Sequence, residues 1–267
     1  MKAGIDLGTT LVKTTWMNNG QYQFASTADY SLEEITQRMK VDGVVDVVLA
    51  GINVTDDRIK ALSNFNILPQ EEQTVKTEIA TQSAGVKELL KMSGNNLENY
   101  LLVSIGSGTS YTTVNGNQSI HEEPGNPLGG KTILGLGLVF GAKNYQEIVE
   151  WAARGTPADL FYKDIFPNLK GTLKGEFVIA HFGKADASTK KEDLCASTIN
   201  TVAVSVVCDL LRITNKTPGN VLYIGSTVSR TPPLTAMLRL YSQALGYQPH
   251  FPQNGEFSLA LGAYLRE

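Results

Sequence analysis

Residues 4–13 combine the residue types that bind phosphate groups and divalent cations. They read Gly-Ile-Asp-Leu-Gly-Thr-Thr-Leu-Val-Lys, and the Gly8-Thr9-Thr10 portion follows an apolar, strand-like run. Glycine and small hydroxyl residues at such a turn let backbone N–H groups approach phosphate oxygens closely. Asp6 could hold a hydrated Mg²⁺, and Lys13 could neutralise phosphate charge. A structural β-hairpin with an incidental Asp is the alternative interpretation.

A second glycine and hydroxyl turn occurs at residues 104–110, which read Ser-Ile-Gly-Ser-Gly-Thr-Ser. It also follows an apolar run, about 100 residues after the first turn. A pair of such turns predicts nucleotide binding, because each can cradle phosphate oxygens with backbone N–H groups. A plain glycine-rich turn is the alternative.

Two further glycine segments could contribute to an anion site. Residues 129–137 read Gly-Gly-Lys-Thr-Ile-Leu-Gly-Leu-Gly, which predicts a helix N-terminus near an anion or, alternatively, close helix packing. The spacing of a P-loop is absent there, so no Walker fold is predicted. Residues 221–227 predict a buried strand that ends at Gly225-Ser226, where an adenosine could lie.

Glu78 opens a predicted helix that is otherwise rich in small residues. A carboxylate in a cleft can accept the proton of a substrate hydroxyl during phosphoryl transfer. The alternative is a glutamate that only interacts favourably with the helix dipole.

These segments are positioned by elements that the sequence predicts in two similar halves. The first half has strands at residues 1–7, 11–17, 21–26 and 44–49, with helices at 31–39 and 78–92. Ser31 and Glu34 form a capping-box pattern, and Gly94 ends the second helix.

The second half repeats the pattern of strand, glycine turn, strand, Asn-Gly turn and strand. Strands are predicted at residues 100–105, 110–114, 118–121 and 220–224, and helices at 197–211, 233–245 and 257–265. Alternating strands and helices predict an α/β protein, and the repeat predicts two tightly packed lobes, residues 1–98 and 99–267. No structure is predicted for residues 155–183.

The composition favours a globular cytoplasmic protein. A net charge of −3 gives no reason to expect nucleic-acid or membrane binding. No apolar run of membrane-spanning length and no signal-peptide pattern is seen. Cys195 and Cys208 are predicted to be reduced thiols buried in helices, and the three histidines show no metal-ligand spacing.

In their order and spacing the segments resemble the type II pantothenate kinases over nearly the whole chain. The matching segments are residues 4–13, 78–85, 99–110, 129–137, 223–226, 254–258 and 262–265. The resemblance implies a two-lobed α/β fold of the actin-like class, a duplicated ribonuclease H-like unit with an ATP cleft between its lobes. It also implies phosphorylation of the primary hydroxyl of pantothenate by ATP with Mg²⁺, the first step of coenzyme A biosynthesis.

The resemblance also implies roles for individual residues. Glu78 matches the catalytic base, and Asp6 matches the residue that holds Mg²⁺ through water. The matching ATP contacts are Asp6, Leu7, Gly8, Thr9, Thr10, Leu11, Val12, Lys13, Ser107, Gly130, Lys131, Thr132, Ile133, Leu134, Tyr145 and Ser226. Gly106, Gly108 and Thr109 are expected at the substrate. Tyr241 matches a position near the substrate of a neighbouring subunit, which implies a homodimer.

The chain departs from the family pattern at three points. Glu122 stands where the family has an Arg for the pantothenate carboxylate, and an anion there would replace attraction by repulsion. Leu7 stands where the family has the first glycine of Gly-Gly-Thr. Lys131 stands where family members often have Gly, and its positive charge could compensate by attracting a phosphate or carboxylate group. A kinase for another small hydroxyl substrate and a non-catalytic ATP-binding paralogue therefore stay open. An iron–sulfur ATPase activator shares the fold, but neither cysteine belongs to a Gly-flanked pair.

Overall fold

The computed structural model describes residues 1–51, 59–69 and 74–266. The strands in these residues are β1 (Lys2–Leu7), β2 (Val12–Asn18), β3 (Gln21–Ser26), β4 (Asp46–Ala50), β5 (Asn66–Ile67), β6 (Asn99–Ile105), β7 (Thr109–Asn115), β8 (Gln118–Asn126), β9 (Leu160–Phe161), β10 (Val178–Ala180), β11 (Asn220–Ile224) and β12 (Gln248–His250). The helices are α1 (Leu32–Val41), α2 (Val75–Met92), α3 (Gly130–Val139), α4 (Tyr145–Arg154), α5 (Tyr162–Ile165), α6 (Lys191–Ile213), α7 (Ser226–Ser229), α8 (Pro232–Ala244) and α9 (Ser258–Leu265). Short 3₁₀ helices are Pro167–Leu169, Leu173–Glu176 and Gly255–Phe257.

Two five-stranded sheets repeat one strand order. The first sheet runs β3-β2-β1-β4-β5, with β1 antiparallel to β2 and parallel to β4. The second runs β8-β7-β6-β11-β12, with β11 parallel to both β6 and β12. In both sheets the first strand of the half lies centrally, between its hairpin partner and a later parallel strand. The duplication predicted from the two glycine turns is therefore confirmed at the level of topology.

The chain forms two compact units. The first unit contains Met1–Asn99, Thr112–His121 and Phe251–Glu267, and the second contains Tyr100–Tyr111 and Glu122–His250. Helix α9, near the end of the chain, belongs to the first unit because it packs on β1 and α2. The division of the chain into lobes at residues 1–98 and 99–267 stays a prediction.

The core of the first unit forms between its sheet and helix α1. Trp16, Ile35 and Met39 are almost completely buried in this core. Helix α1 begins with the predicted capping box, in which the Glu34 backbone N–H donates to Ser31 Oγ (3.1 Å) and the Ser31 N–H donates to Glu34 Oε2 (2.7 Å). Two of the helix's orphan N–H groups are thereby satisfied.

Helices α2 and α9 touch each other backbone to backbone within the first unit. A Cβ atom added at Gly85 of α2 would lie 1.8 Å from the carbonyl oxygen of Ser258 in α9. Conversely, a Cβ added at Gly262 of α9 would lie 1.8 Å from the carbonyl oxygen of Thr81 in α2. The two glycines are reciprocal, so each helix allows the approach of the other.

Helix α9 makes a second contact of this kind with strand β1. A Cβ added at Gly4 would lie 2.0 Å from the carbonyl oxygen of Ala260 and 2.4 Å from the backbone nitrogen of Tyr264. Because strand β1 and helix α2 both contact α9 through backbone atoms, their separation depends on the thickness of one helix backbone.

Helix α6 is the long apolar helix of the second unit. Its 23 residues have the length and hydropathy of a membrane span, so the prediction that the sequence holds no apolar run of that length is wrong. However, 61% of its most apolar stretch is buried within the fold, which is typical of a core helix. Cys195 is buried there as predicted, and burial raises the pKa of its thiol to about 11. The same prediction is wrong for Cys208, which is exposed because it lies on the solvent-facing side of the helix.

The stretch without a prediction, residues 155–183, contains small elements of the second unit. Strands β9 and β10 form an antiparallel pair, and helix α5 with two 3₁₀ helices lies between them in sequence. Regular hydrophobic periodicity is absent over such short elements, which explains why the sequence pattern did not indicate them.

We predict that Gly262→Ala lowers the free energy of unfolding by about 3 kcal/mol, because the new methyl group meets a backbone carbonyl that cannot rotate away. The matched control is Gly135→Ala in α3, where an added Cβ meets nothing within 4 Å. There the gain in helix propensity should raise stability by about 0.5–1 kcal/mol. Urea titrations of both variants measure the effect, and equal stabilities would contradict the packing argument.

Candidate active site

An ion pair joins β1 and β2 next to the turn between them. The register of the two antiparallel strands places Asp6 directly opposite Lys13. Lys13 Nζ lies 2.6 Å from Asp6 Oδ2, and the two side chains are only 13% and 6% exposed. The ammonium group predicted to meet phosphate is thus held at the carboxylate, as expected for opposite charges in a cross-strand pair.

Backbone atoms pack closely around Asp6. A Cβ added at Gly51, which follows β4 and has a φ of +104°, would lie 2.9 Å from the carbonyl oxygen of Leu7 and 3.2 Å from Asp6 Oδ1. A Cβ added at Gly8 would lie 2.9 Å from the carbonyl oxygen of Leu11. Side chains at both glycines would fill the space beside the carboxylate.

Glu78 lies in the first turn of helix α2, also in the first unit. Thr74 caps this helix: its hydroxyl accepts from the Thr77 N–H (3.2 Å), and its own N–H donates to Thr77 Oγ1 (2.9 Å). Oε2 of Glu78 is buried and has no hydrogen-bond partner among the residues that the structure describes. Burial raises the pKa of Glu78, the negative charge of Asp6 raises it further, and Lys13 partly opposes both effects. An unpartnered, partly desolvated carboxylate of this kind is suited to accept a proton.

The second glycine turn is joined to two helix N-termini within the second unit. The carbonyl oxygen of Gly106 accepts from the Gly130 N–H (2.8 Å) and from Thr227 Oγ1 (2.8 Å), and that of Ser107 accepts from the Lys131 N–H (3.1 Å). The first two N–H groups of α3 therefore bind the turn instead of an anion. This helix start thus fixes the shape of the turn.

An open cavity of about 530 Å³ lies beside this turn. It is lined by Ser104, Gly106, Gly108, Thr109, Ser110, Gly125, Asn126 and Pro127. Thr109 Oγ1 donates to the carbonyl oxygen of Leu128 (2.8 Å), and Asn126 Oδ1 accepts from the Leu128 N–H (2.9 Å). Asn126 Nδ2 in turn donates to Asp209 Oδ2 (2.8 Å), so its amide is fixed at the cavity wall.

The predicted ATP contacts fall into three groups by burial. Leu7, Val12 and Ile133 bury their side chains in the core, so only their backbone groups could meet a ligand. Thr9, Thr10 and Lys131 are exposed, and the remainder are partly buried apart from Asp6. Within each unit the structure brings the predicted residues of the turns together, and their contact with a nucleotide stays a prediction.

Two predicted tyrosines have hydroxyl groups bonded within the second unit. Tyr145 Oη lies 2.8 Å from Thr231 Oγ1, and burial raises the pKa of Tyr145. Tyr241 is 5% exposed, donates to Asn200 Oδ1 (2.8 Å), and has its pKa raised by burial to about 12. Asn200 Nδ2 donates to the buried Asp159 Oδ2 (2.6 Å), so Tyr241 belongs to a buried polar network.

Three residues at these turns were given no role in the sequence-based prediction. Gly51 follows a predicted strand, and its positive φ beside Asp6 could have been suspected from the strand end alone. Thr227 follows the predicted Ser226 and bonds the turn, whereas Asn126 lines the cavity without any sequence signal.

The repeated sheets with a glycine turn after each first strand define a duplicated α/β protein of the actin-like class, as predicted. A solved structure with a similar fold is an activator of the 2-hydroxyisocaproyl-CoA dehydratase from Clostridium difficile with bound ADPNP. The match between the two structures covers 98% of this chain and 92% of the activator chain, with a TM-score of 0.60 and 14% sequence identity.

A family model described as Fumble matches residues 59–266, and the chain therefore belongs to the Fumble family. Two relatives named type II pantothenate kinase match nearly end to end. The Staphylococcus haemolyticus protein is 28% identical, with 98% of each chain covered, and the Staphylococcus aureus (strain USA300) protein is 27% identical, with 100% of each covered. The resemblance seen in the sequence is thus confirmed as a family relationship.

We predict that Gly129→Ala weakens binding of a non-hydrolysable ATP analogue at least about tenfold, because it distorts the second turn. A Cβ at this position would lie 2.7 Å from both Gly108 Cα and the carbonyl oxygen of Ser107. Gly219→Ala is the matched control, since its Cβ meets nothing within 4 Å. Calorimetric titration measures the affinities, and unchanged binding by a folded Gly129→Ala protein would exclude the turn from the nucleotide site.

Proposed function

We propose that the protein is a pantothenate kinase, which transfers the γ-phosphoryl group of ATP to the primary hydroxyl of pantothenate. The observation that carries the proposal is the buried Oε2 of Glu78, which has no partner among the described residues. The charges of Asp6 and Lys13 shift the pKa of this carboxyl group. The chain that contains it is a member of the Fumble family. The names of the two staphylococcal relatives support pantothenate as the acceptor.

Glu78 acts as the general base in this proposal. Its ionised carboxylate accepts the hydroxyl proton as the acceptor oxygen attacks the γ-phosphorus and the bond to ADP breaks. The raised pKa strengthens the carboxylate as a base, because proton affinity rises with pKa. By the same reasoning activity declines when the pH falls through the raised pKa and Glu78 becomes protonated.

Asp6 is the residue proposed to hold Mg²⁺ through water. Mg²⁺ in kinases is bound by one or two carboxylates together with substrate phosphates and waters, not by an all-protein cage. Asp6 is buried, and the absence of side chains at Gly8 and Gly51 leaves space beside its carboxylate, so the residues present fit that mode. When bound with the triphosphate, Mg²⁺ supplies neutralisation of phosphate charge.

The second unit supplies the other proposed contacts. The turn at Gly106, Ser107 and Gly108 contacts phosphate and acceptor oxygens through the N–H groups of Ser107 and Gly108, because the Gly106 N–H donates to the Gly108 carbonyl oxygen (2.9 Å). The exposed Lys131 side chain adds a positive charge. The structure of the activator with bound ADPNP supports nucleotide use by this fold class. We also propose a cytoplasmic homodimer, in which the neighbourhood of Tyr241 faces the substrate of the other subunit.

A kinase for another small hydroxyl substrate is the second candidate, favoured by Glu122. This half-buried carboxylate lies on β8, the strand whose end contributes Gly125 and Asn126 to the cavity. An acceptor without a carboxylate would avoid repulsion by Glu122.

A coupled assay for ADP release tests the proposal with the purified protein and Mg·ATP. Pantothenate should be phosphorylated, whereas a small panel of hydroxy acids and sugars should be inactive. Turnover with a panel member but not with pantothenate would favour the second candidate. Binding of ATP without transfer to any acceptor would contradict both and indicate a non-catalytic paralogue.

We predict that Glu78→Gln lowers kcat roughly 10²- to 10⁴-fold, because the amide cannot accept the proton. The affinity for the ATP analogue should change little, since the amide keeps the shape of the carboxylate. Glu88→Gln on the same helix is the matched control, because Glu88 accepts from the Tyr22 hydroxyl (3.2 Å) and an amide oxygen can do the same. Steady-state kinetics measure the effect, and full activity in Glu78→Gln would remove Glu78 from this role.

A further inference from the structure

Arg266 follows helix α9 directly and reaches the turn that carries Glu78. Its Nη2 donates to the carbonyl oxygen of Thr77 (3.3 Å) and makes a short hydrogen bond to Thr81 Oγ1. The Thr77 carbonyl belongs to the peptide group whose nitrogen is that of Glu78. The guanidinium therefore binds the backbone immediately before Glu78 and a side chain one turn further along.

Thr81 completes this attachment. Its buried hydroxyl donates to the carbonyl oxygen of Thr77 (2.7 Å), the same oxygen that accepts from Arg266. The first turn of α2 is thus held from within by the Thr74 cap and from outside by Arg266. Charge-assisted bonds of this kind are stronger than neutral ones.

Arg266 is itself tied to the strand that carries Asp6. The side chain of Lys2, at the start of β1, donates a short hydrogen bond to the carbonyl oxygen of Arg266 and lies 5.7 Å from the centre of the Tyr264 ring. A continuous set of contacts therefore runs from β1 through Lys2 and Arg266 to the backbone at Glu78.

The glycine contacts make this arrangement stiff. Helix α9 lies against α2 at Gly85 and Gly262 and against β1 at Gly4, always through backbone atoms. Backbone contacts at such distances allow little sliding, because no side chain can change its rotamer to absorb a shift. The C-terminal end of α9 therefore has a fixed position relative to α2 and β1, and the hydrogen bonds of Arg266 attach the first turn of α2 to it.

We infer that Arg266 is a positioning residue for Glu78, which holds the first turn of α2 at a set place relative to the strand that carries Asp6. Only the expected effect on kcat rests on the proposed function; the attachment of the turn by Arg266 does not. Arg266 acts through the backbone of the turn and not on the substrate, so its loss should affect the reaction step more than nucleotide binding.

Arg266→Met tests this directly, because methionine keeps much of the apolar stem and removes the guanidinium. We expect kcat to fall roughly 10- to 100-fold, as for other small misplacements of a catalytic group. KM for ATP should stay within about twofold. Hydrogen–deuterium exchange at residues 77–81 should become about tenfold faster, because the turn opens more often. Arg266→Lys, which keeps a charge and donors, should recover part of each loss.

Two further variants make the result decisive. Thr81→Val is nearly isosteric, removes the hydroxyl bonded to Arg266, and should change kcat and exchange in the same direction. Arg38→Met is the matched control in the same unit, because Arg38 is exposed and lies over the Tyr30 ring, 4.6 Å from its centre. It should alter neither quantity. If Arg266→Met does not fold, Thr81→Val and Arg266→Lys decide by the same criteria.

The outcomes separate this inference from the proposed function. Unchanged exchange at residues 77–81 in folded Arg266→Met, or a raised KM for ATP with kcat intact, would overturn the positioning role while leaving the kinase standing. A wild-type protein without kinase activity would overturn the proposed function. In that case, faster exchange in Arg266→Met would still support the attachment of the turn by Arg266.

Discussion

The close backbone contact of one short helix is the constraint on which the candidate catalytic group depends. Helix α9 touches both β1 and α2 through glycines, so the strand that carries Asp6 and the helix that carries Glu78 are separated by a single helix backbone. Larger residues at Gly4, Gly85 or Gly262 would move one partner away. The electrostatic influence of Asp6 on Glu78 depends on this separation, because Coulomb interactions weaken with distance.

Polar groups at both turns are largely engaged with the protein itself. Lys13 is bonded to Asp6, the Gly106 carbonyl accepts two bonds, and the first two N–H groups of α3 bind the second turn. Glu78 differs, because its buried Oε2 has no partner among the described residues. Because buried polar groups in proteins are usually hydrogen-bonded, an unpartnered buried carboxylate oxygen indicates a place where a ligand or a proton is expected.

Much of the fold was predictable because its signals are local. The Ser31 capping box, the strands around the two glycine turns and the repeat between halves depend on periodicity and turn residues that lie close together in sequence. Cys208 was misjudged because apolar neighbours in sequence do not reveal which side of a long helix faces solvent. Residues 155–183 gave no pattern, since their elements are too short for periodicity.

By itself the sequence determined most element types outside residues 155–183, the duplicated α/β class, the family resemblance and the identity of Glu78 and Asp6 as candidate groups. Residue type and short-range spacing encode these features directly. Only the tertiary structure decided that Lys13 is held by Asp6, that the start of α3 bonds the second turn, and that Arg266 reaches the turn of Glu78. These contacts join residues far apart in the chain, and the packing of backbones against one another determines which distant groups come within bonding distance.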